Sequence, residues 1–429
     1  KQVNKMKEYN TLILTNIKQL LTIEKDFNHS YDEPEELGSI EDGAIVIKND
    51  KIEWIGQSKN LPSSFKNNRK TKTITLENKV VTPGLIDSHT HLIFAGSREK
   101  EFEMRIKGSS YEDILKKGGG IHSTVRATRN ASEEELFNSA YRRLNTFKKF
   151  GITTVEVKSG YGLNLETELK MLKVAKKLNE YHPVDVVPTF LGAHIIPEEY
   201  KQKREKYINI IINEMIPEIS SKNLAKFCDV FVEKEAYSPE EAEKILTAGL
   251  EAGLKPKLHT DQFSSIGGIK LATELNASSV DHCDAITEKD LNLLKNSNIP
   301  AVLLPGAVFF ISKERYAPAK KMIELKIPTV ISTDFNPGSC MTQNLPLIMS
   351  IACLKMKILP SDTIISVTIN AAKSLNLEKK VGSIKPGKIA DLAIFDIPDY
   401  RHIVYHFGVN NCWMVIKNGE IIFEKARCD

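Results

Sequence analysis

The sequence predicts an α/β protein, a (β/α)8 TIM-like barrel joined to a small β-sandwich domain built from both termini. Three observations predict it. Short apolar segments alternate with amphipathic stretches through the middle of the chain. Both ends carry alternating strands and tight turns instead. The polar residues richest in chemistry stand where the apolar segments stop. Parallel strands need a crossover between them, usually a helix, so strand–helix alternation is how a parallel sheet reads in sequence.

The N-terminal end is β-rich. Gly43 to Gly56 reads as two short strands joined by a turn at Asn49-Asp50. Eight apolar segments follow: Val80–Ile86, Thr153–Val157, Val184–Phe190, Asp229–Glu233, Lys255–His259, Ser278–His282, Ala301–Leu304 and Thr329–Ser332. Between the first two, Ser132 with Glu135 three residues on forms a capping box. Leu136, Ala140, Leu144 and Phe147 then share one helix face, and Gly151 stops the helix. Near the C-terminus, Ala390–Phe395 is a strand, and Trp413–Phe423 is a hairpin on an Asn-Gly turn. The expected division is a composite domain of residues 1–82 with 376–429 and a barrel over 83–375. A doubly wound open sheet fits less well, because no GxGxxG or P-loop follows the first strand.

Composition narrows the function. The 59 basic and 55 acidic residues nearly cancel to +4, with no basic stripe or tail, so nucleic acid is not the expected partner. The lysines from Lys170 to Lys177 suit a solvated helix face. Cys228, Cys283, Cys340, Cys353, Cys412 and Cys428 form no CxxC pair, as expected of free thiols in a reducing compartment. Lys1 to Asn10 is polar, and the apolar stretch after it is interrupted by Asn16 and Lys18. No signal peptide or membrane span is expected, and the expected setting is cytoplasmic.

The strand ends carry the chemistry. Val81-Val-Thr-Pro-Gly-Leu-Ile-Asp-Ser-His-Thr-His91 ends in His-x-His, and residues two apart on a strand point the same way. Arg98 lies farther along. Lys158-Ser-Gly-Tyr161 follows the second strand and Gly192-Ala-His194 the third. His259-Thr-Asp-Gln262 ends the fifth, Asp281-His282 the sixth, and Asp334-Phe-Asn-Pro-Gly-Ser339 follows the eighth. Five of the ten histidines thus fall at the C-terminal rim, where barrels of this kind keep their active sites. Singly, each would more often be a core or turn residue. His89, His91, His259 and Asp334 make a three-imidazole, one-carboxylate set suited to one Zn²⁺ or Fe ion. Such an ion brings the pKa of a bound water to roughly 7. Asp334 is expected to be both ligand and proton shuttle, with His282 opposite the attacking water, polarising the scissile carbonyl or assisting proton transfer.

Two segments, Pro83-Gly-Leu-Ile-Asp-Ser-His-Thr-His91 and Gly382-Ser-Ile-Lys-Pro-Gly-Lys-Ile-Ala-Asp-Leu392, resemble the amidohydrolase superfamily. Within it, Phe94-Ala-Gly-Ser-Arg98, Gly118-Gly-Gly-Ile121, Lys158-Ser-Gly-Tyr-Gly162, Phe190-Leu-Gly-Ala-His194 and Thr333-Asp-Phe-Asn-Pro-Gly-Ser339 are similar to the imidazolonepropionase family. The resemblance covers nearly the whole chain. It implies one Zn or Fe ion per chain, a homodimer, and a small-molecule substrate. The implied reaction is hydrolysis of 4-imidazolone-5-propanoate to N-formimidoyl-L-glutamate in histidine breakdown. The residues agree with a cyclic amide that also bears a carboxylate: Arg98 and the phenol of Tyr161 can hold that charge. By resemblance His194 also contacts substrate, and Asn336, Gly338 and Ser339 line the ring or product end; Tyr111 is a lesser candidate for the carboxylate pocket, since a lone tyrosine is more often packing.

Position 262 is Gln, where some family members have Glu. Gln262 cannot be a general base but can orient water or a ring nitrogen, which shifts the base role to Asp334 and His282. Gly118–Gly120 reads equally as a loop near the pocket and as a plain turn. The alternative enzyme is another cyclic amidohydrolase or aminohydrolase, hydantoinase-like or cytosine-deaminase-like. A binuclear version would need a lysine such as Lys234 at the fourth strand end, where glutamate neighbours favour a solvated loop. A non-catalytic scaffold would be expected to have lost ligands, and every ligand position is filled.

Overall fold

A computed structural model of the protein describes residues 9–23, 37–66, 70–109, 113 and 118–426. Tyr111 and Cys428 lie outside the described residues.

The terminal sheet contains β1 (Thr11–Leu21), β2 (Ser39–Lys48), β3 (Lys51–Gln57), β4 (Thr71–Thr75) and β5 (Val80–Pro83). The barrel strands are β6 (Leu85–Asp87), β7 (Ile152–Lys158), β8 (Asp185–Ala193), β9 (Phe227–Val232), β10 (Lys255–Thr260), β11 (Val280–His282), β12 (Ala301–Leu303) and β13 (Thr329–Ile331). The tail returns to the terminal sheet with β14 (Leu392–Phe395), β15 (Cys412–Lys417) and β16 (Glu420–Glu424).

Val80–Ile86, expected as one barrel strand, is instead shared between the two sheets. β5 pairs with β1 and β14, whereas β6 pairs with β7. The division falls at Gly84, whose N–H donates to the Asp391 carbonyl at 2.8 Å. A Cβ there would collide with the Thr153 side chain, so only glycine lets the chain pass. A continuous apolar run carries no mark of which sheet each residue joins.

The barrel strands pair in chain order from β6 to β13, all parallel. Closure runs through the residues just past the first and last strands. Asp334 N–H donates to the His89 carbonyl at 3.1 Å, and His91 N–H to the Phe335 carbonyl at 3.0 Å. Asp87 adds a side-chain clasp, accepting from Thr333 N–H at 3.2 Å and Thr333 Oγ1 at 2.6 Å. The same contacts that shut the barrel therefore set two histidines beside Asp334.

The helix over Glu133–Lys149 carries the Ser132/Glu135 capping box and buries Leu136, Ala140, Leu144 and Phe147, as its periodicity requires. The terminal sheet is mostly antiparallel, in the order β16-β15-β14-β5-β1-β2-β3 with β4 beside β1. Asn16, which interrupts the apolar pattern, adopts φ 54° where the β1–β2 register shifts. It forms a bulge that lets β1 resume its alternation. Asp391 of the tail motif is structural: buried Lys417 joins Asp391 and Asp185, each at 2.6 Å, linking the terminal sheet to β8. The five cysteines among the described residues are free. Among those residues no helix is long and apolar enough to cross a membrane.

Candidate metal and active site

Five imidazoles meet at the C-terminal ends of the barrel strands. His89 and His91 stand 5.4 Å apart between ring centroids, His89 and His259 4.6 Å, and His259 and His282 5.4 Å. His194 stacks on His91 at 5.2 Å, and Tyr161 lies 5.7 Å from His91. Asp334 Oδ1 lies 3.5 Å from His89 Nε2 and 3.6 Å from His91 Nε2. Strand periodicity explains the convergence: each ring comes from a strand end or the residues just past it, facing the barrel axis.

The donor set fits a metal ion. His89 Nε2 and His259 Nε2 are buried without a hydrogen-bond partner among the described residues, and His91 Nε2 faces Asp334 Oδ1 beside His89 Nε2. One nitrogen from each of these histidines lies within 4.8 Å of the others. Unpaired polar atoms cost free energy in a buried site unless a cation takes them up. Their backing favours this too. His89 Nδ1 stands 2.7 Å from Asp281 Oδ2, and His259 Nδ1 stands 3.0 Å from Asp229 Oδ2. A proton kept at His89 Nδ1 by Asp281 leaves Nε2 free to ligate, and Asp229 stands where it favours the same form of His259. Burial, then the Lys158 charge, pushes His89 well below its ordinary pKa, and burial with the neighbouring imidazoles does the same to His91. Both rings are therefore neutral, the form that binds metal.

Asp334 and His282 hold strained backbones, with φ 53° and 83°. Left-handed conformations at non-glycine residues cost of order 1–3 kcal/mol each and concentrate at functional sites. Burial raises the Asp334 carboxyl to about 7, against the opposing influence of His259, Asn336 and Ser339. Burial also holds His282 well below its ordinary value, and its Nδ1 lies 3.9 Å from Asp284 Oδ2.

The loop after β13 is organised by Asn336. Its Oδ1 accepts from Gly338 N–H and Ser339 N–H, both at 2.8 Å, and its Nδ2 donates to the Asp334 carbonyl and Ser339 Oγ, both at 2.7 Å. Ser339 Oγ in turn donates to Asp334 Oδ2 at 3.3 Å. Arg98 lies against this loop: a Cβ on Gly338 would collide with Arg98 Nη1.

Whole-chain comparisons identify the family. A profile described as the amidohydrolase family matches residues 80–422. The imidazolonepropionase of Alkaliphilus oremlandii is 46% identical over 414 residues, covering 96% of this chain and 98% of that protein. The imidazolonepropionase of Fusobacterium nucleatum is 46% identical over 418 residues, covering 96% and 99%. The chain belongs to the imidazolonepropionases, within the amidohydrolase family. Among solved structures, E. coli guanine deaminase superposes with a TM-score of 0.71 at 15% identity, covering 97% of this chain and 100% of that one. A zinc-bound adenosine deaminase from Xanthomonas campestris gives 0.70 at 14%, covering 96% and 92%. At such identity these two share the fold.

Several residues that shape this imidazolonepropionase site were not singled out from sequence. Glu101 is one: its Oε2 accepts from Arg98 Nε at 2.8 Å and pairs with Nη2 at 2.8 Å. Its Oε1 takes Gly120 N–H at 3.1 Å and Ser123 Oγ at 3.2 Å, so the glycine run is a loop tied to Arg98. Gly120 sits at φ 78°, which requires glycine in practice. Glu168 is another, buried and accepting from Gly160, Gly162 and Leu163 N–H at 2.8 to 3.2 Å, which fixes the loop bearing Tyr161. His194 Nδ1 meets the Gly160 carbonyl of that loop at 3.1 Å. Gln262 is half-buried, three residues past His259, and Glu233 Oε2 holds the next two N–H groups at 2.9 and 3.1 Å. Lys234, which a binuclear site would need, is exposed.

Proposed function

We propose that the protein opens the cyclic amide of 4-imidazolone-5-propanoate to N-formimidoyl-L-glutamate, the third step of histidine breakdown. The observation that carries this reading is the placement of Arg98 and Tyr161, a pair suited to a carboxylate, beside the histidine cluster. Burial pushes the Tyr161 phenol well above its usual pKa, with Arg98 opposing, so the hydroxyl stays a donor. Together they suit a propanoate side chain while the ring faces His194 and Ser339.

The reading assigns His89, His91, His259 and Asp334 to one ion, and their N/O donors accept Zn²⁺ and Fe alike. When bound, it supplies Lewis-acid activation of water and carbonyl at neutral pH. Asp334, the carboxylate beside the attacking water, takes the proton released as that water adds to the ring carbonyl carbon. It delivers that proton to the ring nitrogen as the C–N bond breaks, helped in orientation by Ser339 Oγ. His282, a neutral imidazole on the same rim, donates to the carbonyl oxygen as it gains charge. Gln262 positions water or the ring without exchanging a proton. Residues 1–82 with 376–429 form the supporting unit in this reading and 83–375 the catalytic one. The sheet order, in which β14 to β16 continue from β5, supports that division.

The test is turnover by metal-replete protein, following product formation from imidazolone propanoate alongside a hydantoin and cytosine. Ring opening confined to imidazolone propanoate is expected. Turnover of cytosine or a hydantoin in its place would favour the alternative hydrolase reading.

A further inference from the structure

Beneath the histidines lies a closed set of buried charges that the reaction does not use. Lys158, the last residue of β7, is fully buried. Its Nζ stands 2.7 Å from Asp229 Oδ2, 3.1 Å from Asp281 Oδ2 and 3.2 Å from Glu156 Oε2. These Asp oxygens are the very atoms that face His259 Nδ1 and His89 Nδ1. The remaining carboxylate oxygens are taken: Asp281 Oδ1 by Ser279 Oγ at 2.6 Å, Asp229 Oδ1 by His259 N–H at 3.2 Å, and Glu156 Oε1 by Lys257 Nζ at 2.8 Å. One ammonium thus sits where three carboxylates converge, an arrangement in which a hard cation would otherwise be at home. Burial disfavours the charged amine, but Asp229, Glu156 and Asp281 raise its pKa above the ordinary lysine value, so it stays charged.

We propose that Lys158 is a positioning residue that stands in the place of a second cation: it holds Asp229 and Asp281 so that His259 and His89 present Nε2 to a single ion, and its occupancy of the three-carboxylate basket limits the site to that one ion. Without the ammonium the two aspartates would repel one another and lose their fixed orientation. The tautomer and aim of both imidazoles would loosen with them. An open basket carrying three negative charges, offset only by Lys257, would also draw in a divalent cation. The inference rests on the ligand set proposed above.

Two variants test it, with ion binding as the readout. Lys158→Ala opens the basket, whereas Lys158→Met keeps most of its volume without the charge. Mn²⁺ and Zn²⁺ are titrated into metal-stripped protein, with stoichiometry from elemental analysis and affinity from chelator competition. Wild type is expected to bind one equivalent. Lys158→Met should still bind one, about ten- to hundredfold more weakly, as lost metal-orienting partners usually cost. Lys158→Ala should take up a second equivalent of Mn²⁺ at millimolar concentration, with its melting temperature rising as it does so. One equivalent of wild-type affinity in both variants would overturn the role of Lys158. So would failure of both to fold whether or not Mn²⁺ is added, since the charge would then be a structural counter-ion that no cation replaces. A His259→Ala protein that keeps its ion would overturn the ligand set, and this inference with it.

Discussion

Arg98 and Glu101 are joined through Arg98 Nε and Nη2, both 2.8 Å from Glu101 Oε2. The pair leaves Nη1, the nitrogen nearest Gly338, as the arm to which the proposed function gives the substrate carboxylate. Arg98→Ala should therefore raise KM for imidazolone propanoate by roughly ten- to hundredfold, the loss of a charge-assisted contact worth about 1.5–3 kcal/mol. A ring analogue without the carboxylate should be little affected. Gly338→Ala should act in the same direction by displacing Nη1. Equal losses for both compounds would show that Arg98 serves the fold instead.

His282 and Gln262 divide the rim differently. His282→Ala should lower kcat by about 10²–10⁴, with bound metal unchanged, because in the proposed mechanism the ring acts on the reacting carbonyl and holds no ion. Gln262→Ala removes only a positioning group and should cost less. A comparable fall in kcat for both variants, with metal retained, would make Gln262 part of the reacting centre.

Lys417 joins Asp391 and Asp185 at 2.6 Å across the two sheets. Removing one member of a buried pair strands the other charge, at a cost of about 3–5 kcal/mol. Lys417→Met should lower the urea midpoint while leaving turnover per bound ion intact. A midpoint equal to wild type would show that solvent already screens the cluster.

Acid should unfold the metal-free protein by way of its buried histidines. Burial, then Lys148, lowers His182 to about 4, and burial lowers His194 to about 3, so the unfolded chain takes up these protons first. Stability conferred by the neutral rings is complete above about pH 6.5 and is lost as pH falls toward 4. His182→Gln should flatten the dependence of unfolding free energy on pH in that window by about one proton, roughly 1.4 kcal/mol per pH unit. Parallel lines for wild type and variant would mean that native His182 is protonated as readily as the unfolded residue.

The strand ends made most of the site legible. His89, His91, His259, His282 and Asp334 follow segments whose apolar character identifies them as barrel strands, and the geometry brings these five together. Lys158 was visible only as the residue opening a loop motif. Yet Glu156 and Lys158 are two apart on β7, so strand periodicity alone places both charges inside the barrel. Interior charge in an apolar strand is the mark of the buried network. It lies within the strand and not beyond its end, where barrel chemistry is usually sought. Glu101 and Glu168 carried no such mark. Each sits on a helix and reaches back to a loop, a contact set by tertiary packing rather than by spacing. The partition at Gly84 was hidden because β5 and β6 are equally apolar.

That partition has a mechanical consequence. Only four residues lie between Gly84 and His89, and the peptide on the other side of Gly84 is gripped by β1 and β14, from opposite ends of the chain. The imidazole pair is thus hung from a beam whose supports lie outside the barrel. Loosening of β1 or β14 would slacken the suspension of the histidine pair with every barrel helix still in place.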